Sequence, residues 1–182
     1  MGHGARGASA VVPSIEPATL LDYDIVIAGL HKTRRDKNRQ IRDMLGFSGA
    51  PQVGERVLCT RNSRAKGLMN GSIWIVRQVE GVTDGFTYLT VADERGQLVD
   101  VVVLLELFEN DVAEQPDSMG EAFTWGYRIT GHKSQGSEWG RVLVFDQGGS
   151  FRDPNDPTYP NRWRYTAITR AFDAVTIVRV RP

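Results

Sequence analysis

The sequence predicts an α/β fold built on a parallel sheet and interrupted by a small antiparallel β-barrel. Three observations carry this. A continuous apolar run at Ile25-Val26-Ile27-Ala28 is followed by helix signals, short β-rich segments fill residues 56 to 105, and strand, turn and helix patterning returns after Gly120. The middle of the chain therefore reads as an insertion, residues 50–118, inside one α/β domain formed by residues 22–49 and 119–182.

Taken in order, residues 1–21 read as a flexible tail. Its Gly- and Ala-rich start carries one Arg and no long apolar stretch, so it does not have the pattern of a secretory signal. Ile25 to Ala28 is uninterrupted in the way of a parallel strand buried on both faces. A helix should follow, capped by Thr33 with Asp36 three residues on. Ile41 and Leu45 should lie on its inner side, and Gly46 where a left-handed residue ends a helix.

From about Pro51 the pattern shortens to strands at Arg56–Thr60, Ser72–Val79, Phe86–Ala92 and Leu98–Leu105. Asn70-Gly71, Asp84-Gly85 and Arg95-Gly96 separate them, each able to supply the positive φ that a tight hairpin needs. After Gly120 come a strand over Phe123–Ile129 and a turn with a short helix over Thr130–Glu138. A strand at Arg141–Asp146 leads into a Gly/Pro/Asp-rich loop over Gln147–Asn161. A helix over Trp163–Phe172 and a last strand at Val175–Val180 complete the chain.

Composition excludes several classes. With 41% hydrophobic residues the chain can bury a core, and the longest apolar stretches fall far short of the ~20 residues of a membrane helix. The single cysteine, Cys59, rules out a disulfide framework and points to a reducing, cytoplasmic compartment. His3, His31 and His132 are too scattered for a zinc site. The zero net charge hides an asymmetry. Residues 1–79 hold twelve Lys/Arg against six Asp/Glu, residues 80–121 one against eleven, and residues 122–182 nine against five. A phosphate backbone should therefore keep to the flanking segments.

The chemistry concentrates in two runs, TGHKSQGSEW at Thr130–Trp139 and RYTAITRAF at Arg164–Phe172. Backbone N–H groups at a Gly turn entering a helix present partial positive charge to an anion, and Lys133, Ser134 and Ser137 can add direct contacts. A Ser-capped helix start with an exposed Glu is the plain alternative. In the second run Arg170 sits at a helix end, where a cation also simply offsets the helix dipole. A phosphate-cradling G-x-x-x-x-G-K-[ST] loop occurs nowhere in these 182 residues.

These runs resemble motifs V and VI of superfamily-one, RecD-like DNA helicases, and Lys32–Asn38 resembles their motif IV. The segments Gly54–Ser63 and Leu68–Gly71 are similar to the SH3-like insertion of that family. The resemblance implies a RecA-like second motor domain of a P-loop helicase, moving 5′ to 3′ on single-stranded DNA in RecD-like relatives. Carried over by position, it makes Arg170 the arginine finger on the γ-phosphate, with Arg34 or Arg35 also addressing the terminal phosphates and Arg34 the first choice. Gly136 and Glu138 go to the nucleotide side. Thr130, His132, Lys133 and Ser134 go to the DNA side, as do Arg61, Arg64 and Lys66 in a loop of the insertion. Trp74 is either a base-stacking ring or barrel core, while Trp125 and Trp139 read as packing residues. ATP and Mg²⁺ would be bound mainly by a first RecA-like motor domain that this sequence lacks, leaving the chain inactive alone. A non-enzymatic nucleic-acid-binding or interaction module derived from a helicase is the rival reading. A phosphate-binding α/β enzyme of other chemistry is a third, disfavoured because no nucleophile and base pair up.

Overall fold

The computed structural model describes residues 8–29, 31–110, 120–134, 137–147 and 156–179. The chain divides into two compact units, residues 1–37 with 128–182 and residues 38–127.

The first unit is built on five parallel strands in the order β1-β10-β9-β2-β8. These are β1 (Ala10–Val12), β2 (Ile25–Ala28), β8 (Arg128–Thr130), β9 (Trp139–Asp146) and β10 (Ala171–Arg179). Central position explains the composition: all four residues of β2 are buried, as are Val142, Leu143 and Val144 of β9. Helix α1 (His31–Met44) follows β2 and helix α3 (Tyr159–Ile168) joins β9 to β10.

Several expectations are corrected here. Residues 10–12 are not tail but an edge strand on β10, and Leu20, in a 3-10 turn over Pro17–Asp22, is buried. Helix α1 begins at His31 rather than at a Thr33 cap, because the chain passes almost directly from β2, with the Gly29 N–H donated to Gln147 Oε1 at 3.1 Å. Helix α3 starts at Tyr159 and ends at Ile168. Its inward residues are Trp163 and Ala167, whereas Tyr165 is 72% exposed.

The second unit contains five antiparallel strands in the order β6-β5-β4-β3-β7. They are β3 (Arg56–Cys59), β4 (Ile73–Thr83), β5 (Phe86–Ala92), β6 (Leu98–Leu104) and β7 (Phe123–Trp125), with a short helix α2 (Leu105–Glu109) after β6. The β4–β5 turn uses Asp84 at φ 51° and Gly85 at φ 79°, as the Asp-Gly pair predicts. Part of the acidic stretch from Glu106 is structured, since α2 buries Leu107 and Phe108.

The expected strand over 123–129 is two strands in two sheets. Trp125 pairs with Val57 of β3, and Arg128 begins β8 beside Val26. Gly126 permits the change of course, because a methyl there would stand 2.9 Å from the Val57 carbonyl carbon. Gly46 does end α1 in the left-handed region, at φ 80°. Phe47 N–H bonds the Arg42 carbonyl at 2.9 Å in a Schellman turn, which carries Leu45 past the helix end to 43% exposure.

The second unit is pinned internally by a buried ion pair. Arg42 donates from Nε to Glu55 Oε1 at 2.6 Å and from Nη2 to Oε2 at 3.0 Å, and its guanidinium lies 3.6 Å over the Trp125 ring. Tyr127 donates its hydroxyl to Glu55 Oε1 at 3.3 Å. Trp74, 3% exposed, donates its indole N–H to Ser72 Oγ, which places it in the core and not on a base-stacking surface.

Candidate functional site

The sheet of the first unit has two ends, and the two informative runs of sequence populate both. Thr130 closes β8 level with Ala28 of β2 and hence with Phe145 of β9. Trp139 opens β9 six residues earlier, which at the usual strand rise puts it about 20 Å away along the sheet. Thr130 and Trp139 therefore lie at opposite ends of the sheet, Thr130 at the carboxyl ends of the strands and Trp139 at the amino ends.

At the amino end, Trp139 donates its backbone N–H to the Arg170 carbonyl at 2.8 Å as β9 and β10 begin side by side. The sequence puts Arg170 at the end of a helix over Trp163–Phe172. Instead it lies two residues beyond α3 with its guanidinium folded back. Nε donates to the Thr166 carbonyl at 3.0 Å, Nη1 to the Ser137 carbonyl at 3.3 Å and Nη2 to Thr169 Oγ1 at 3.1 Å. Glu138, exposed, is the next residue after Ser137. The structure thus brings Arg170 together with the Ser137-Glu138 end of the first run.

At the carboxyl end, Thr130 is 7% exposed, and Ser134 is wholly buried with its hydroxyl donated to the Gly131 carbonyl at 2.6 Å. Ser134 therefore closes a 3-10 turn over Gly131–Ser134, and a bond to an outside phosphate would require it to leave that partner. Arg164 of α3 grips Asp146 with Nε 3.0 Å from both carboxylate oxygens. Along the same edge a cavity of about 840 Å³ is lined by Val12, Leu20, Lys37, Phe145, Val178 and Arg179. The Lys37 ammonium lies 5.8 Å from the centre of the Phe145 ring, and the buried Arg128 guanidinium 4.7 Å from it. Burial, then the neighbouring Arg128 charge, hold the Lys37 pKa below its ordinary value.

In the second unit the three loop cations differ. Arg64 is exposed in a 3-10 turn over Arg64–Lys66. Lys66 is already engaged, 2.7 Å from Glu121 Oε1 and 2.8 Å from the Asp100 carbonyl, and Arg61 donates to the Gly120 carbonyl. Gly136 lies outside the described residues, as do the side chains of Arg34, Arg35, His132 and Lys133. Among the described residues no three His, Cys, Asp or Glu gather to hold a metal ion, and no helix is long and apolar enough to cross a membrane.

Both runs fall within residues 126–178, which match the UvrD-like helicase C-terminal domain family. This stretch is similar to a UvrD-like helicase C-terminal domain. A second comparison agrees in sequence: the ATP-dependent RecD2 DNA helicase of Deinococcus radiodurans is 32% identical over 125 residues, 69% of this chain. The chain spans 14% of that protein's length. Among solved structures, Pif1 from Bacteroides bound to ssDNA is similar with a TM-score of 0.53 at 19% identity, over 85% of this chain and 40% of that one. The Pif1 helicase of Candida albicans gives 0.52 at 14% identity, over 86% and 45%. At these identities the likeness to Pif1 is one of fold: a parallel, RecA-like sheet with an additional antiparallel sheet.

Sequence reading missed three features of the first unit. Gly131 packs against Trp163, Thr169 touches the Arg170 guanidinium, and Asp146 pairs with Arg164. Only the glycine in its turn left a trace in the sequence; the other two depend on which distant residue comes alongside.

Proposed function

We propose that this chain is the C-terminal motor half of an ATP-dependent DNA helicase, supplying an arginine finger and part of a single-stranded DNA path. The observation that supports it is the position of Arg170, beside Ser137 and Glu138 at the amino end of the sheet, with Thr130 and its turn at the opposite end. This sets the arginine-finger candidate apart from the turn assigned to DNA.

In this reading ATP contributes the phosphoanhydride bond whose cleavage drives movement. Arg170 has five N–H donors, of which described residues take three, and the γ-phosphate oxygens suit what remains. A planar, permanently charged fork there stabilises charge on the transferring phosphoryl group, an effect of about three to five powers of ten in turnover. Gly136 and Glu138 join Arg170 on the nucleotide side; Arg34 or Arg35, which the resemblance also assigns to the phosphates, belongs to the start of α1, where the chain leaves the carboxyl end of β2. Mg²⁺, with most of the ATP contacts, would be held by the first motor domain. The DNA side of the first unit is Thr130, His132, Lys133 and Ser134; in the antiparallel unit, which we take as SH3-like, it is the loop of Arg61, Arg64 and Lys66, where Arg64 is the exposed cation and Lys66 is already held by Glu121. The compartment is the cytoplasm.

The test compares the isolated chain with the full-length parent. The chain alone should hydrolyse no ATP above background with Mg²⁺ present. In the parent, Arg170→Ala and Arg170→Lys should both nearly abolish DNA-stimulated turnover while DNA affinity stays almost intact, because a point charge cannot reproduce the fork. Strong turnover by the chain alone, lost in Arg170→Ala, would overturn the division of labour. Full turnover by both parent variants would sink the finger assignment and favour the non-enzymatic binding module.

A further inference from the structure

We propose that Thr169 is a positioning residue that sets the Arg170 guanidinium before nucleotide arrives; this rests on the reading of Arg170 as the phosphate-facing arginine. A threonine hydroxyl has one proton to give and lone pairs to receive. The Thr169 hydroxyl lies 2.9 Å from the Tyr165 carbonyl and 3.2 Å from that of Thr166, so its proton is drawn to the last turn of α3. A lone pair is left to face Arg170 Nη2 at 3.1 Å. The guanidinium is then fixed at three corners: Nη2 by Thr169, Nε by the Thr166 carbonyl and Nη1 by the Ser137 carbonyl.

Two of the three acceptors belong to the residues just before Arg170. The third comes from a position 33 residues earlier in the chain. Helix-end carbonyls carry partial negative charge, which favours a cation folded back on them. A free arginine has large rotamer freedom to lose on engaging a ligand, and fixing it beforehand removes that cost from the reacting complex. No described residue takes the remaining two N–H groups, one on each terminal nitrogen, and these suit an anion with two oxygens.

A threonine bonded to the carbonyl four residues back is also a common helix feature of no functional consequence. The test separates the two roles by watching the arginine itself. In the 182-residue chain, the Arg170 Nε–Hε proton is assigned by its loss from the NMR spectrum of Arg170→Lys, and its exchange with water is measured. Thr169→Val, nearly the same shape without the hydroxyl, should speed that exchange about tenfold, the scale of losing one bond to a charged group. Thr169→Ser should stay within about twofold of the parent rate because it keeps both bonds. The Trp139 amide, bonded to the Arg170 carbonyl, should stay protected throughout.

Unchanged Arg170 exchange in Thr169→Val overturns the proposal, and so does loss of protection in Thr169→Ser. Simultaneous loosening of Trp139 in Thr169→Val assigns Thr169 to structure alone and overturns it too. In the full-length parent, Thr169→Val should lower kcat with little change in KM for ATP. If Arg170→Ala left that turnover intact while the exchange results held, the finger reading would fail and the positioning geometry would stand.

Discussion

Gly131 and Trp163 stand so close that a methyl group on Gly131 would meet the Trp163 indole nitrogen at 2.4 Å. This contact seats the turn after β8 against α3, the helix that leads to Arg170. Trp163 is 5% exposed, so the ring has little room to yield. Gly131→Ala should therefore cost about 1–3 kcal/mol, the usual penalty of overpacking. Urea unfolding would show it as a lower midpoint at unchanged slope. A neutral result would mean that the turn shifts freely.

In the second unit, Glu55 is fully buried and accepts two bonds from Arg42, one from Tyr127 and one from the Gln52 N–H. Glu55→Gln leaves the Arg42 charge without its counter-ion and should destabilise the chain by about 3–5 kcal/mol. Glu55→Gln combined with Arg42→Met should cost less than the sum of the two single changes, because the second removes the charge stranded by the first. A double-mutant cycle by denaturant unfolding measures this. Simple additivity would show that the pair carries no coupling.

Tyr127 gives the same cluster a pH dependence. Burial, followed by the nearby Glu55 carboxylate, raises its phenol well above the ordinary value of 10.0. The folded state thus holds a proton that the unfolded chain releases near pH 10. The stability from Tyr127 is complete below that pH and falls as pH rises from there toward the folded-state value. Alkaline titration by ultraviolet absorbance should show Tyr127 ionising only with unfolding, and Tyr127→Phe should flatten this part of the stability curve. Early, reversible ionisation of Tyr127 in the folded chain would contradict the assignment.

Binding of single-stranded DNA by the chain should be weak and salt-sensitive, and the loop cations should not contribute alike. Arg64 is exposed, whereas Lys66 already faces Glu121 at 2.7 Å. Arg64→Ala should reduce the slope of log affinity against log salt by about 0.7, the value for one phosphate contact on a single strand. Lys66→Ala should leave that slope nearly unchanged. Fluorescence anisotropy across a salt series tests both, and an equal loss from the two variants would show that Lys66 leaves Glu121 for DNA.

Much of this architecture was legible along the chain because its signals are local. The unbroken apolar run of β2, the Asp84-Gly85 turn and the left-handed Gly46 each depend on a few neighbouring residues, and each is where the pattern places it. The two runs that fall within the match to the helicase C-terminal family were equally plain, since they are particular residue types at particular spacing. Tertiary structure alone decided what the side chains touch. It turned Ser134 inward to Gly131, gave Lys66 to Glu121 and folded Arg170 back onto Ser137 and Thr169. It also took Ala10–Val12 into the parallel sheet and divided residues 123–130 between two sheets. Backbone conformation follows from adjacent residues, but a side chain's hydrogen-bond partner is whatever folding carries alongside it. For Arg170 that partner comes from 33 residues away, and for Lys66 the Asp100 carbonyl comes from 34.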